Sequence, residues 1–573
     1  MATILSSPAV TPPRQVTTFR ETMLPPVRLV PLAIGLVFWW AALVPSQLPR
    51  SALLQGAMGA VCFCVGYGVG ALVTGSYDAL LRVARRPNPF ARLYSRTFTV
   101  VRWLAVLAAF GGAFLWVHWQ NDQAPLVGNA ADHGPLDVVV IIVVAAVVTA
   151  IVLGISRLLG YAVAAVGRRL PGGLTPFASR AVSIAIVALV SYAVVRVVLS
   201  VGFMGWANDQ FGEVDETGPP GVSAPSSTTV SGGPGSLVPW STLGAEGRSF
   251  TASSTSVADL QSFEPASTPR EPVRVYVGLD SAPTSQARAD LAVRELERTG
   301  AFQRKVLVVA TVTGTGWVDP VTAAGVEYLH DGDTAIVAQQ YSFLPSWISF
   351  ITDRAKAAEA GRVLFDTVQA KWATLPADSR PTLIAYGLSL GSFGSEAAFG
   401  KATFEQSLTA ATTKADAVLW MGPTNDNAVW QQLIAARNPG SPVWHPVYGD
   451  GVTVRLAAQV SDLPATGPKA KALWVQHPSD PVGWWGWDVL WSKPGWMTQP
   501  TGPDVPRDPT FFPFVTWLQQ TVDLMNGFNA QPGHGHNYDP NVAGAWVTVT
   551  SPDGWTDADS ARLTARLLTI ADE

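Results

Sequence analysis

Hydrophobic positions are distributed unevenly along the chain. The first third contains five apolar runs, each close to the roughly 20 residues that cross a bilayer as a helix. They lie at about 29–45, 52–74, 99–119, 137–156 and 181–204. Beyond residue 270, short apolar strands alternate with helical stretches, which is typical of a parallel sheet with crossover helices. The pattern predicts a multi-domain protein with an N-terminal all-α bundle of five transmembrane helices and a C-terminal α/β domain with a mostly parallel sheet.

Arginine placement predicts the orientation of this bundle. Short cytoplasmic loops are enriched in Lys and Arg, and the chain has no lysine before Lys305. Arginines are concentrated before the first apolar run and in the loops after the second and the fourth, whereas the other loops have one or none. We therefore expect residues 1–28 to be cytoplasmic and the chain after about residue 205 to lie outside the cytoplasm, so that the protein is a multi-pass cell-membrane protein.

The segment between the two predicted domains has a different composition. Residues 213–240 are crowded with Pro, Gly, Ser and Thr and show no apolar periodicity, which is typical of a flexible tether. We therefore predict a transmembrane domain over 29–204, an extracytoplasmic linker over 205–270 and a folded α/β domain over 271–573. The predicted strands lie at 272–278, 305–312, 334–339, 382–387, 416–422 and 471–476.

Composition excludes some classes of function. The net charge is −4, and the C-terminal half has no basic block, so we expect no nucleic-acid partner. The only two cysteines, Cys62 and Cys64, lie in an apolar run without a partner cluster of His or Cys. We therefore predict neither a metal nor a cofactor. A transporter is disfavoured because Arg196, deep in the fifth run, has no second deeply placed charge in the bundle with which to form an ion path.

A candidate nucleophile follows the predicted strand 382–387. The stretch Gly387-Leu388-Ser389-Leu390-Gly391 has the G-x-S-x-G pattern and precedes a helix rich in small residues. In this pattern the serine occupies a sharp turn between strand and helix, which requires small residues two positions before and after it. Ser389 is the predicted nucleophile, and the amide of Leu390 is a predicted oxyanion donor. The alternative is an ordinary helix N-cap serine.

A serine nucleophile needs a histidine base and an acid that orients the histidine. On this fold they follow the serine in the order acid and then histidine. The glycine-rich stretch "QPGHGHNYDP" contains His534 and His536; we predict His536 as the base, with His534 as the alternate. Asp480, shortly after the strand 471–476, is the predicted acid, with Asp426 as the alternate.

Two further sets of residues belong to the predicted site. The glycine-containing loop "TGTGWVDP" follows the strand 305–312, and its backbone at Thr315 and Gly316 is predicted to supply the second oxyanion donor. Tryptophans are frequent near the predicted catalytic loops and can line an acyl-chain pocket. Those predicted to line the substrate site are Trp317, Trp484 and Trp485.

Several longer strings resemble a known family. They are "RVYVGLDSA", "TGTGWVDP", "GLSLGSFGSEAAF", "QHPSDPVGWW" and "GHGHNY". They are similar to the membrane-anchored alpha/beta-hydrolases of actinobacteria, alpha/beta-hydrolase family 9, in which a multi-span N-terminal domain precedes a hydrolase domain. The resemblance implies an α/β-hydrolase fold over 271–573, with Ser389 as the nucleophile, Asp480 as the acid and the base in the "GHGHNY" loop.

The resulting hypothesis is a membrane-anchored, extracytoplasmic serine hydrolase that acts through an acyl-enzyme. Its expected partners are the lipid bilayer and an ester-bearing lipid or envelope glycolipid as substrate. Two alternatives stay open. The first is an acyltransferase on the same scaffold, because water or another hydroxyl can accept the acyl group. The second is a non-catalytic membrane receptor or assembly factor that uses the hydrolase fold for binding. The sequence leaves the oligomeric state open.

Overall fold

The computed structural model describes residues 29–87, 98–171 and 173–572. The predicted cytoplasmic segment 1–28 therefore lies outside the described residues. The described chain forms two compact units. The first contains the chain up to Leu43, Ala52–Leu115 and Pro135–Gly202, and the second contains the rest. Two short segments inside the predicted transmembrane domain, Val44–Ser51 and Trp116–Gly134, thus belong to the second unit.

Long apolar helices make up the first unit. Four helices are long and apolar enough to cross a membrane, over Ala52–Val83, Trp103–Val127, Pro135–Arg169 and Pro176–Thr217. The described helix Leu29–Leu43 has 15 residues and is shorter than the roughly 20 residues that a span requires. Four of the five predicted spans therefore have sufficient length among the described residues. The helices in this part of the chain are Leu29–Leu43 (α1), Ala52–Val83 (α2), Phe98–Gln123 (α3), Pro135–Arg169 (α4), Pro176–Val197 (α5) and Met204–Thr217 (α6).

A parallel sheet of seven strands forms the centre of the second unit. Its strand order is β1-β3-β2-β4-β5-β7-β6, and all its strand pairs are parallel. The strands consist largely of buried Val, Leu, Ile and Ala, as expected for a sheet that is covered on both faces. They are Val273–Val277 (β1), Val306–Thr311 (β2), Thr334–Gln339 (β3), Thr382–Leu388 (β4), Ala417–Met421 (β5), Val454–Ala457 (β6) and Ala472–Val475 (β7).

Six of these strands agree with the predicted ones, and β6 is the additional strand. It pairs with β7 alone, and Arg455 interrupts its four residues, so it carries no continuous hydrophobic pattern that predicts a strand.

Of the remaining helices, two precede β1, and the others connect the strands or follow the last of them. They are Gly244–Ala252 (α7), Val257–Phe263 (α8), Ser285–Arg298 (α9), Pro320–Leu329 (α10), Ser346–Thr352 (α11), Arg354–Trp372 (α12), Leu390–Glu396 (α13), Phe404–Lys414 (α14), Ala428–Ala436 (α15), Val515–Gly527 (α16), Val542–Thr550 (α17) and Asp557–Ala571 (α18).

Residues 205–270 differ from the predicted flexible linker. Helix α6 extends to Thr217, and α7 and α8 follow after an irregular stretch. Several apolar residues of this part of the chain are buried in the second unit, although their irregular spacing gives no periodic signal. They include Val230, Val238, Leu243, Phe250 and Leu260.

A buried ion pair also fixes this region to the sheet. Arg274 of β1 bonds to Glu327 of α10 through two contacts, of 2.7 Å and 2.8 Å. Arg274 also donates to the carbonyl of Phe250 at 2.7 Å, and the hydroxyl of Thr255 donates to Glu327 at 2.6 Å. The segment is therefore part of the folded domain.

Candidate functional site

Ser389 lies at the turn between β4 and α13. Its φ of 57° and ψ of −126° form a conformation that non-glycine residues rarely adopt. Its amide donates to the carbonyl of Met421 in the neighbouring strand β5 at 2.9 Å, which fixes the turn. The Ser389 side chain makes no capping hydrogen bond to the described helix α13. The geometry is therefore the strained turn between strand and helix that the G-x-S-x-G pattern predicts, and the N-cap hydrogen bond of the alternative is not observed.

The two glycines of the motif are required by close backbone contacts. A Cβ atom on Gly387 would lie 2.3 Å from the carbonyl oxygen of Gly391. A Cβ atom on Gly391 would lie 2.3 Å from the carbonyl oxygen of Thr311, at the end of β2. Because no side chain fits at either distance, strand, turn and helix can approach this closely only with glycine at both positions.

His536 and Asp480 form a buried pair. The Nδ1 atom of His536 lies 2.7 Å from Oδ2 of Asp480, and both side chains are almost inaccessible to solvent. Because a carboxylate only accepts, Nδ1 carries the proton of the neutral imidazole and Nε2 is unprotonated. Among the described residues Nε2 has no hydrogen-bond partner. This is the tautomer that a general base requires.

The two alternates lie elsewhere. His534 is 3.5 Å from Asp504, and Asp426 forms an exposed ion pair with Arg354. Neither lines the cavity that contains Ser389 and His536. The structure therefore brings Ser389, His536 and Asp480 together, whereas their roles in catalysis stay predictions.

This cavity has a volume of about 250 Å³. It lies at the carboxyl ends of β2 and β4, where parallel sheets commonly bind ligands. Because Ser389 and His536 both face it, a bound group would contact the serine and the imidazole together. The lining residues are Thr313, Thr315, Trp317, Ser346, Leu388, Ser389, Phe528 and His536.

The predicted oxyanion donors have different surroundings. Leu390 is the first residue of α13, directly after the serine turn. In the loop after β2, the amide of Gly316 donates to the carbonyl of Thr313 at 3.1 Å. The amide of Gly316 is thus already used within the loop, and its predicted role as an oxyanion donor is corrected. The amide of Thr315 makes no hydrogen bond among the described residues, so it is the available donor of the predicted pair.

Comparison with protein families shows to which family the chain belongs. Residues 273–563, just over half of the chain, match the alpha/beta-hydrolase family. The chain belongs to the alpha/beta-hydrolase family. Residues 43–254 match the N-terminal region of the same family. Together the two matches confirm the predicted alpha/beta-hydrolase family 9 with its N-terminal and C-terminal domains. Comparisons with curated proteins and with solved structures found no match.

The three predicted substrate-lining tryptophans of this alpha/beta-hydrolase have different positions. Trp317 lines the cavity. Trp484 is only 3% exposed, because the helical turn after Asp480 directs it into the core near Trp430. Trp485 lies outside the cavity and donates to Thr521 at 2.9 Å. The predictions for Trp484 and Trp485 are therefore corrected.

Tyr538 is a site residue that the sequence reasoning missed. Its hydroxyl donates to Oδ2 of Asp480 at 2.6 Å, and its ring stacks on His477 with 4.3 Å between the centroids. Burial and the charge of Asp480 raise the pKa of Tyr538 well above its usual value, so the phenol keeps its proton and donates. The available signal was its position, two residues after His536 in the "GHGHNY" loop.

Residues beside Asp480 also fix the histidine loop. Burial lowers the pKa of His477, which keeps it neutral. Its Nδ1 donates to the carbonyl of Gly535 at 2.9 Å, and its Nε2 lies 3.1 Å from Oδ1 of Asn541. Ser479 accepts a hydrogen bond from the amide of Gly535 at 2.8 Å and donates to Asp504. The acid turn and the histidine loop are thus held together independently of the His536–Asp480 bond.

Gly422 is a second missed residue. It follows β5 with a positive φ of 51°. A Cβ atom here would lie 2.6 Å from Cε1 of His536 and 2.8 Å from the ring of Tyr538. The imidazole can therefore reach its observed position only because residue 422 lacks a side chain.

No group of three His, Cys, Asp or Glu residues within the described ranges is arranged to hold a metal ion.

Burial raises the pKa of two carboxyl groups near the loop that follows β2, Glu246 and Asp215. Asp215 accepts from Gln340 at 3.0 Å, and Gln340 also donates to the carbonyl of Thr315 at 3.3 Å. Asp215 thus supports this loop through Gln340.

Proposed function

We propose that this alpha/beta-hydrolase is a serine hydrolase that cleaves ester bonds, with Ser389 as the nucleophile, His536 as the base and Asp480 as the acid. The observation that carries the proposal is the 2.7 Å bond from His536 Nδ1 to Asp480, which leaves Nε2 unprotonated beside the cavity that Ser389 also lines. A strained serine turn and an oriented imidazole are the two parts that acyl transfer requires.

In the proposed mechanism, Oγ of Ser389 attacks the ester carbonyl carbon, and its proton passes to Nε2 of His536. The carboxylate of Asp480 stabilises the imidazolium that forms. The amides of Leu390 and Thr315 donate to the oxyanion, and one such donor contributes on the order of 100-fold to kcat. The bond from the acyl carbon to the alcohol oxygen then breaks, and the imidazolium gives its proton to the alcohol. Water attacks the acyl-enzyme by the same route and releases the acid.

An ester-bearing lipid or envelope glycolipid is the substrate that we propose. Phe528 lines the cavity and is 57% exposed. Trp347 and Ile351, 58% and 69% exposed, lie on α11, whose first residue also lines the cavity. The cavity of about 250 Å³ is smaller than a typical drug-sized site of roughly 300–1,000 Å³. It would hold the ester and the start of an acyl chain, and the remainder would extend over these apolar side chains.

Membrane anchoring and an extracytoplasmic catalytic domain are part of the proposal. The four long apolar helices support anchoring in the cell membrane. The arginine distribution supports a catalytic domain outside the cytoplasm. A site on that side would meet envelope lipids directly.

Fluorophosphonate labelling of the full chain in membranes tests the catalytic proposal. We expect the wild type and His534→Ala to label, and Ser389→Ala and His536→Ala to lose labelling. His534→Ala is the matched control because the two histidines lie in the same loop. A folded wild type that does not label would favour the alternative of a non-catalytic membrane receptor or assembly factor. A membrane-impermeant probe on intact cells tests the orientation, since only an extracytoplasmic serine would react.

Ester substrates of increasing acyl length test the proposed substrate class. We expect Trp347→Ser to lower kcat/KM for long acyl chains and to leave short ones unchanged. Val460→Ser is the control, because Val460 is also exposed but lies after β6 rather than on α11. Equal effects of Trp347→Ser on both chain lengths would contradict the acyl-chain surface. Product analysis with an added alcohol separates hydrolysis from acyl transfer.

A further inference from the structure

The segment Val44–Ser51 connects two helices of the N-terminal third but belongs to the same compact unit as the hydrolase sheet. Its polar residues Ser46 and Gln47 are almost completely buried. Buried polar groups require hydrogen-bond partners, and a loop that only connected two helices would be solvated. The partners of these residues show what the segment contacts.

The first partner is helix α16. The hydroxyl of Ser46 donates to Oδ1 of Asp523 at 2.9 Å, and the amide of Gln47 donates to Oδ2 at 3.1 Å. The side chain of Gln520 donates to Oε1 of Gln47 at 3.0 Å. The carbonyl of Gly527, the last residue of α16, accepts from the amide of His536 at 2.9 Å. The segment thus binds the helix that supports the backbone of the proposed base.

The second partner is the turn that carries the proposed acid. Nε2 of Gln47 donates to the carbonyl of Pro478 at 3.0 Å and lies 3.5 Å from the carbonyl of Asp480. Both carbonyls belong to the backbone that fixes the Asp480 carboxylate. One side chain therefore contacts both the acid turn and, through Gln520, helix α16.

The other inserted segment, Trp116–Gly134, supports the first one. The side chain of Gln123 donates to the carbonyl of Ser46 at 2.6 Å, and Gln120 accepts from the amide of Arg50 at 2.8 Å. Both segments therefore belong to a single hydrogen-bonded assembly with the catalytic domain.

We propose that Gln47 is a positioning residue that holds the turn 478–480 and thereby keeps Asp480 oriented toward His536. This inference rests on the proposed function. The N-terminal third thus supplies, through Gln47, a support for the hydrolase site. A displacement of about 1 Å in a catalytic group lowers the rate on the order of 100-fold, so loss of the amide anchor has a measurable effect.

The test uses the full chain in membranes or detergent and compares Gln47→Met with Gln339→Met. Methionine keeps the volume of glutamine and removes its hydrogen bonds. Gln339 is also buried and donates to Ser285 at 2.9 Å, but it does not line the cavity. We measure kcat per site titrated with the covalent probe, KM, and the hydrogen exchange of peptides spanning 476–484.

For Gln47→Met we expect kcat to decrease by about 10- to 100-fold, KM to change less than twofold, and the peptide 476–484 to exchange faster. Gln339→Met should leave all three unchanged. If Gln47→Met does not fold, the test uses Gln520→Leu instead. This second variant removes a contact to Gln47 without altering the acid turn. It should produce the same pattern with a smaller amplitude.

Three results would overturn the inference. Equal exchange of 476–484 in the Gln47 and Gln339 variants would show that Gln47 does not hold the turn. Faster exchange with an unchanged kcat would show that the turn does not position the acid. An unlabelled wild type would refute the proposed function and the positioning role with it, and the exchange result would then show separately whether Gln47 fixes the turn.

Discussion

Replacement of Gly422 by alanine is the sharpest test of the site geometry. The added Cβ atom would lie 2.6 Å from Cε1 and 3.1 Å from Nδ1 of His536. Ordinary van der Waals contact begins at about 3.4 Å, so the imidazole must move by about 0.8 Å. The bond from Nδ1 to Asp480, now 2.7 Å, would then exceed the usual hydrogen-bond range.

The expected effect has two parts. An alanine with a φ near +51° costs about 1–2 kcal/mol of backbone energy. The displacement of a catalytic group by nearly 1 Å lowers kcat on the order of 100-fold. Gly449→Ala separates the two effects, because Gly449 has a similar φ of 59° and no heavy atom within 4 Å of a Cβ.

The assay is the rate of fluorophosphonate labelling together with the free energy of unfolding in urea. Both variants should lose stability through the strained backbone, Gly422→Ala more because the buried bond of His536 to Asp480 is also lengthened, and Gly422→Ala alone should label about 100-fold more slowly. Labelling of Gly422→Ala at the rate of Gly449→Ala would refute the placement of His536 against Gly422.

Three further variants, two of them with a control variant, test the electrostatics of the fold and the site. Glu327→Gln leaves the buried guanidinium of Arg274 without its partner and should lower the free energy of unfolding in urea by about 3–5 kcal/mol. Glu264→Gln, which removes an exposed ion pair with Arg562, should lower it by less than about 1 kcal/mol. Equal losses would be inconsistent with the buried pair. Burial raises the pKa of Glu396 from 4.5 to about 7. Its contribution to stability is therefore fully present below pH 4.5 and decreases by about 3 kcal/mol as the pH rises through 7. Melting temperatures measured from pH 4 to 8 should show this decrease in the wild type and not in Glu396→Gln. Tyr538→Phe should lose about 1.5–3 kcal/mol and lower kcat, whereas Tyr341→Phe, whose buried hydroxyl has no hydrogen-bond partner among the described residues, should be nearly neutral in both assays.

Local patterns of the sequence predicted much of the architecture. The apolar runs predicted the long helices, and the β-branched stretches predicted six of the seven strands, because burial on both faces leaves a continuous hydrophobic signal. The G-x-S-x-G spacing placed Ser389 at a turn between strand and helix. These features depend on neighbours within a few positions, so their signal is contained in the sequence itself.

Other features depended on contacts that carry no local signal. The region 205–270 has an irregular apolar spacing that resembles a linker, yet several of its apolar residues, among them Val238, Leu243 and Phe250, are buried. Trp484 and Trp485 are adjacent in sequence, but the turn after Asp480 directs only the first into the core. The Gly316 amide is used within its own loop, which the glycine content of that loop did not indicate.

The sequence by itself determined the family, the parallel sheet and the small set of candidate residues. The sequence favoured His536 over His534, and only the tertiary structure shows which of the two lies against Asp480, because they are two positions apart in one glycine-rich loop. Their surroundings differ because one faces Asp504 and the other Asp480. The contact of Gln47 with the backbone of Asp480 joins residues 433 positions apart. Such pairings follow from how distant segments pack, and periodicity and spacing along the chain contain no information about them.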